Sequence, residues 1–148
     1  MKKSAVILLR ISSILWVIWG LVHLLAGVLV LSGDTTSGFQ AIGDGVDPDT
    51  VVMDYPGIVG GVQDQHAWNL AWFGLVTLIG AVFIWRRNMT AIWVTALVGG
   101  LADLGYFLFI DLAGYANFVP GTVMTIVSAT AIVLSMKVWF SSRSGTDE

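Results

Sequence analysis

Four long apolar stretches, separated by polar or glycine-rich segments, dominate the pattern of this chain. None of them contains Lys, Arg or Glu, Asp103 is the one acidic residue inside them, and they cover residues 11–31, 67–85, 90–110 and 116–136. Each is close to the roughly 20 residues that an α-helix needs to cross about 30 Å of hydrocarbon, and a helix satisfies its own backbone hydrogen bonds there. The pattern predicts an all-α integral membrane protein with four transmembrane helices in an antiparallel up-down bundle.

The segment 32–65, between the first two stretches, is the only connection long enough to have structure of its own. Asp47 followed by Pro48 is a typical helix start, with a capping side chain and a proline at the first helical position. We therefore expect a short surface helix over residues 49–54. Because apolar side chains are scattered through the rest of the segment, we expect an ordered cap over the mouth of the bundle.

The charged residues are divided between the two ends of the predicted helices. All seven basic residues fall on one side: Lys2, Lys3, Arg10, Arg86, Arg87, Lys137 and Arg143. Six of the ten acidic residues lie in the 32–65 loop. By the positive-inside rule, both termini are cytoplasmic and this loop is outside. We expect a bacterial-type cytoplasmic (inner) membrane protein, with one membrane domain over residues 1–141 and a cytoplasmic tail over residues 142–148.

Composition supports the membrane assignment and excludes several classes of function. The chain is 56% hydrophobic and 11% charged, outside the usual range of soluble domains. It has no cysteine, which excludes thiol redox chemistry and thiolate metal sites. No basic patch suggests nucleic acid as a partner. The first apolar run is long and no small-residue cleavage site follows it, so we expect an uncleaved helix.

Asp103 is the residue on which the functional expectation depends. Ala91, Thr95, Gly99 and Asp103 recur every four residues, so the carboxylate lies on a ridge that another helix can approach. An ionisable group at membrane depth costs about 2.5 to 3.5 kcal/mol and therefore requires a partner. His23 is the expected partner, since at 1.5 Å per residue both groups lie roughly 18 to 20 Å from the inner edge.

A polar layer with aromatic walls is expected around this pair. The candidate ligand-binding residues are His23, Asn69, Trp72, Asp103, Tyr106 and Thr125, with Ser128 beside Thr125, Trp19 and Phe107 as further walls, and His66 and Asp111 above. Aromatic walls with a few convergent polar groups are typical of small-molecule sites. The pattern favours a binding or accessory subunit in the lipid bilayer that takes a lipophilic molecule, such as a quinone, a sterol-like lipid or a fatty chain.

Other functions fit the same residues. His23 and Asp103 could be a structural clamp between two helices, the acid–base pair of a membrane enzyme with a lipophilic substrate, or the relay of a proton-coupled transporter subunit. Homo-oligomers and docking to a larger membrane complex also remain open.

A metal or haem site is the weakest alternative. His23, His66, Asp103 and Asp111 offer nitrogen and oxygen ligands for Zn, Cu or non-haem Fe. Two histidines without a close helical spacing are, however, a weak signal. No metal and no cofactor is therefore assigned from the sequence.

Overall fold

The computed structural model describes residues 2–143, and the part of the predicted tail beyond residue 143 lies outside this range. Within it the chain is helical, without a β-strand. The α-helices are α1 (Lys3–Ser32), α2 (Thr35–Ile42), α3 (Gly57–Trp85), α4 (Met89–Tyr106) and α5 (Val123–Arg143). A 3-10 turn covers Pro48–Val51, and a π-helical turn continues α4 over Phe107–Asp111. The segment Phe118–Thr122 before α5 is a turn interrupted by the extended residue Val119.

Four helical stretches are long and apolar enough to cross a membrane, which confirms the number and order of the predicted spans. They are Lys3–Ser32, Gly57–Trp85, Met89–Asp111 and Phe118–Arg143. The second begins ten residues before the predicted start at position 67. The reason is that hydropathy marks the part of a helix that is apolar enough for lipid, whereas backbone hydrogen bonding continues through the polar turn before it.

Each of the four long helices packs against two of the others, in the cyclic order α1, α3, α4, α5. α1 packs against α3 and α5, and α4 also packs against α3 and α5. On α1, the residues Ser12, Trp16, Gly20 and Gly27 are buried at steps of four and seven. α1 and α4 therefore lie across the centre from each other, and only long side chains can join them.

Glycines set the distance between α1 and α3. A methyl group added at Gly74 would lie 2.5 Å from the carbonyl oxygen of Gly20 and 2.5 Å from the backbone nitrogen of Leu24. One added at Gly27 would lie 2.5 Å from the Ala67 carbonyl oxygen. Small residues that allow such backbone approach are typical of helix pairs in membranes, where lipid provides no hydrophobic drive for association.

Two adjacent serines of α1 connect it to both neighbours. Ser12 Oγ donates a hydrogen bond to the carbonyl oxygen of Ala131 on α5 over 2.8 Å. Ser13 Oγ donates to the carbonyl oxygen of Ala81 on α3. Both serines are buried, so these bonds satisfy hydroxyl groups that would otherwise be unpaired between the helices.

The connection between α1 and α3 is more helical than expected. The Asp34 side chain caps α2 by accepting from the backbone N–H of Ser37 over 2.8 Å, and this bond lowers the pKa of Asp34. The helix expected over residues 49–54 is instead the 3-10 turn at Pro48–Val51, which Asp47 caps as predicted. Sequence reasoning missed α2 because its eight residues are too few for a clear periodic pattern.

We name the two ends of the packed helices by their residues. The loop end carries residues 33–56 and the connection 112–117. The basic end carries the start of α1, the turn between α3 and α4, and the end of α5. Arg10 of α1 lies 5.1 Å from the ring centroid of Trp85 at the end of α3, which joins two of these segments directly.

Candidate functional site

Asp103 of α4 lies at the centre of the packed helices, where side chains of α1 and α5 form hydrogen bonds with it. Its exposed fraction is 3%, and the inward ridge of α4 is confirmed, since Thr95, Gly99 and Asp103 are all buried. Trp19 Nε1 on α1 donates to Asp103 Oδ1 over 3.1 Å. Ser128 Oγ on α5 donates to Asp103 Oδ2 over 2.6 Å. Both carboxylate oxygens thus have a donor.

His23 lies beside this cluster but does not take the place expected for it. Its Nδ1–H donates to the carbonyl oxygen of Trp19 over 2.9 Å, and its ring stacks on the Trp19 indole with centroids 3.6 Å apart. Trp19 is one helical turn before His23, and its longer ring reaches Asp103 across the centre. The expected partner of Asp103 is therefore corrected from His23 to Trp19 and Ser128, while Nε2 of His23 remains for another group.

Three of the six predicted ligand-binding residues line one cavity of about 90 Å³. They are His23, Asp103 and Tyr106. Asp44 from the loop and His66 from α3 also line it, together with apolar side chains that include Val22, Leu70 and Met124. Asp44 was not predicted, because the sequence predicts a cap over the bundle but does not indicate which loop side chain faces the cavity.

The other three predicted residues lie outside this cavity. Trp72 Nε1 donates to Asn69 Oδ1 over 3.0 Å, so these two side chains of α3 satisfy each other. Thr125 Oγ1 is buried without a hydrogen-bond partner among the described residues, and Ser128, one turn further along α5, bonds to Asp103 instead. Their assignment followed polarity and depth, and neither of these fixes the rotation of a helix about its axis.

The metal alternative has little support in the geometry. Within residues 2–143, no group of three His, Cys, Asp or Glu side chains is placed to hold a metal ion. Asp111 is bonded through Oδ1 to Thr122 Oγ1 over 2.8 Å, at the start of the last span. His23, His66 and Asp103 share the cavity, but Asp103 already accepts two hydrogen bonds.

A larger apolar groove of about 590 Å³ adjoins the cavity at the loop end. Loop residues form one wall and the start of α3 the other, and the lining includes Phe39, Val46, Val51, Val59, Val62 and Ile110. Ile42 and His66 line both the groove and the cavity. The two spaces are therefore adjacent, with Ile42 and His66 as walls of both.

Gln63 is the polar side chain in this groove that the sequence did not single out. Its exposed fraction is 6%, and its Nε2 has no hydrogen-bond partner among the described residues. The amide lies against Gly38 of α2, where an added Cβ would collide with Gln63 Nε2. One buried amide in an otherwise apolar wall is a candidate hydrogen-bonding point for a ligand. Only its burial under α2 distinguishes it from an ordinary polar residue at a helix start.

The loop is tied down over the cavity by three hydrogen bonds. Asn117 donates its backbone N–H to Asp44 Oδ1 and its Nδ2 to the Asp44 carbonyl oxygen, each over 2.8 Å. Gly45 donates its N–H to the Tyr115 carbonyl oxygen over 3.0 Å. Asp44 is thus both a wall of the cavity and the anchor of the loop.

Comparison of the chain with protein-family models, with curated protein sequences and with solved structures finds no match. The chemistry of the site follows from its own residues. The cavity offers carboxylate acceptors, a phenol and two imidazoles, and the adjoining groove offers an apolar surface with one amide. Such a combination suits a molecule with a small polar end and a long apolar one.

Proposed function

We propose that this protein is a binding or accessory protein of the membrane that holds an amphiphilic lipophile in one half of the bilayer. The observation that carries the proposal is that a cavity with several polar side chains and an apolar groove lie side by side, with Ile42 and His66 as walls of both. The polar end of the ligand would occupy the cavity and its tail the groove. The groove volume of about 590 Å³ is within the range of roughly 300 to 1,000 Å³ typical of ligand pockets.

The lining of the cavity favours a neutral head group. Its volume of about 90 Å³ corresponds to about three water molecules, enough for a hydroxyl-bearing or carbonyl-bearing head. Asp44 and Asp103 both line it, so an anionic head would face two acidic side chains. His23 Nε2 and the Tyr106 hydroxyl can each form a hydrogen bond with a neutral oxygen.

The proposed arrangement in the membrane is an antiparallel four-helix bundle with both termini in the cytoplasm and the loop end outside. Two observations support it. The basic residues occur at the ends of α1, α3 and α5 and in the turn before α4, and the start of α1 lies near the end of α3 through Arg10 and Trp85. The positive-inside rule then makes the basic end cytoplasmic, so the ligand would lie in the outer leaflet of an inner membrane.

Binding is better supported than catalysis by the contacts around Asp103. A general acid or base needs to be within hydrogen-bond reach of the group it protonates or deprotonates. Both oxygens of Asp103 are already occupied by Trp19 and Ser128, and Nδ1 of His23 is occupied by a backbone carbonyl. The bonds hold these groups in place as walls of a cavity, and of the His23–Asp103 pair they leave only His23 Nε2 without a hydrogen bond.

The test uses monoolein as the probe, since it combines a neutral glycerol head with an acyl tail. Native mass spectrometry of the full chain should show a saturable one-to-one adduct. Val62→Trp, which fills the groove, should weaken the adduct at least about tenfold, because a loss of 1.4 kcal/mol is a factor of ten. Val82→Trp is the matched control, since Val82 is also exposed on α3 but lines neither space.

Two outcomes would overturn the proposal. One is the absence of a saturable monoolein adduct in the unmodified protein. The other is equal weakening by Val62→Trp and Val82→Trp, which would place the lipid on the general membrane-facing surface.

A further inference from the structure

A second groove, of about 530 Å³, lies at the basic end, far along the helices from the cavity. It is formed by the start of α1, the start of α4 and the end of α5. Ala5, Leu8, Met89 and Val138 give it an apolar floor, and Val138 is buried. Lys2 and Lys137 line it as exposed side chains. The groove thus combines an apolar base with a cationic rim.

The charge of this rim is not balanced by nearby carboxylates in the described part of the chain. All acidic residues among positions 2–143 lie between Asp34 and Asp111, and none of them lines the groove. Lysine at a bilayer surface attracts anionic lipid, by about 1 kcal/mol for each residue. Two lysines on one groove therefore favour an anionic occupant over a neutral one.

Two serines add hydrogen-bond acceptors to the same groove. Ser141 Oγ donates to the Lys137 carbonyl oxygen over 2.8 Å, and Ser142 Oγ donates to the Trp139 carbonyl oxygen over 2.7 Å. Because each hydroxyl hydrogen is already used, the Oγ atoms can act toward a ligand only as acceptors. They suit a head group that has hydroxyl donors of its own beside its phosphate.

We propose that this groove binds an anionic glycerophospholipid with a hydroxyl-bearing head group, of the phosphatidylglycerol type. The ammonium groups of Lys2 and Lys137 neutralise the phosphate. Ser141 and Ser142 accept hydrogen bonds from the head-group hydroxyls. The part of an acyl chain next to the glycerol covers the apolar floor. The proposal is independent of the ligand at the loop end, because the two sites share no residue.

The experiment measures phosphatidylglycerol retained by the full chain in native mass spectrometry. Lys2→Gln combined with Lys137→Gln should lower its affinity at least about tenfold, as expected for removal of two attractive charges. The matched control is Arg86→Gln combined with Arg87→Gln, which removes two charges from the same end without touching the groove. All four side chains are exposed, so both variants should fold, as circular dichroism will check.

Three results would overturn the proposal. Equal loss in the two double variants would mean that the total charge of the basic end, and not the groove, retains the lipid. Equal retention of phosphatidylcholine and phosphatidylglycerol would remove the anionic preference. Displacement of the lipid by excess inorganic phosphate would show that the groove takes a free anion and does not use its apolar floor.

Discussion

Trp19 makes three different contacts, one with Asp103 and two with His23. Its indole N–H donates to Asp103, its carbonyl oxygen accepts from His23, and its ring face is covered by the His23 imidazole. Single intramembrane hydrogen bonds contribute on average about 0.6 kcal/mol. Leaving a buried donor without its acceptor costs about 1 to 3 kcal/mol. Loss of one partner should therefore affect stability more than the average bond suggests.

Trp16 provides a control for Trp19, because both side chains are fully buried on α1. They differ in that Trp16 Nε1 has no hydrogen-bond partner among the described residues. Trp19→Phe should lower the free energy of unfolding by about 1 kcal/mol more than Trp16→Phe, since only the first removes a hydrogen bond. Unfolding in mixed micelles, followed by circular dichroism, measures the difference.

The same comparison in an Asp103→Ala background tests whether the difference comes from the carboxylate. With the acceptor gone, Trp19→Phe and Trp16→Phe should cost similar amounts, apart from differences in packing. A difference of unchanged size would assign it to packing of the rings and contradict the role given to Asp103.

At the scale of elements, α1 and α3 approach so closely that their backbones are in contact through Gly20 and Gly74. Gly20 directly follows Trp19, whose indole donates to Asp103, so this approach holds the same part of α1 that bonds to α4. The loop in turn contributes α2, whose Gly38 covers the amide of Gln63. The groove therefore has walls from α2 and from the start of α3.

Gly74→Ala should weaken this pair. Its new methyl group would meet backbone atoms 2.5 Å away, which cannot move without separating the helices, and overpacking typically costs about 1 to 3 kcal/mol. Gly61→Ala on the same helix has nothing within 4 Å and should be neutral or stabilising by up to about 1 kcal/mol, because alanine favours a helix. Unfolding midpoints in mixed micelles will compare them, and similar midpoints would refute a close crossing at Gly74.

The whole molecule has an asymmetric charge distribution along its long axis. One end has the seven basic residues and the groove lined by Lys2 and Lys137, and the other has most of the acidic residues, the cavity and the apolar groove. Such a molecule should insert in one orientation, because the basic segments stay on the cytoplasmic side. The two proposed sites would then lie in different leaflets of the bilayer.

Single cysteines can test this orientation, because the chain has none of its own. Asp54→Cys in the loop should react with a membrane-impermeant maleimide in intact cells, whereas Thr90→Cys at the start of α4 should react only after the membrane is opened. Both positions are exposed, so burial cannot explain a difference. The reverse pattern of labelling would invert the proposed topology.

The sequence by itself determined the four apolar spans, the division of charge and the inward ridge that carries Asp103. These follow from composition and helical periodicity, which are local properties of the chain. Tertiary structure alone decided that Trp19 and Ser128, and not His23, bond to Asp103, that Asn69 and Trp72 pair away from the cavity, and that Asp44 folds over it. The reason is geometric: depth along a helix can be counted from the sequence, but rotation and separation depend on how glycines such as Gly20 and Gly74 let two helices meet.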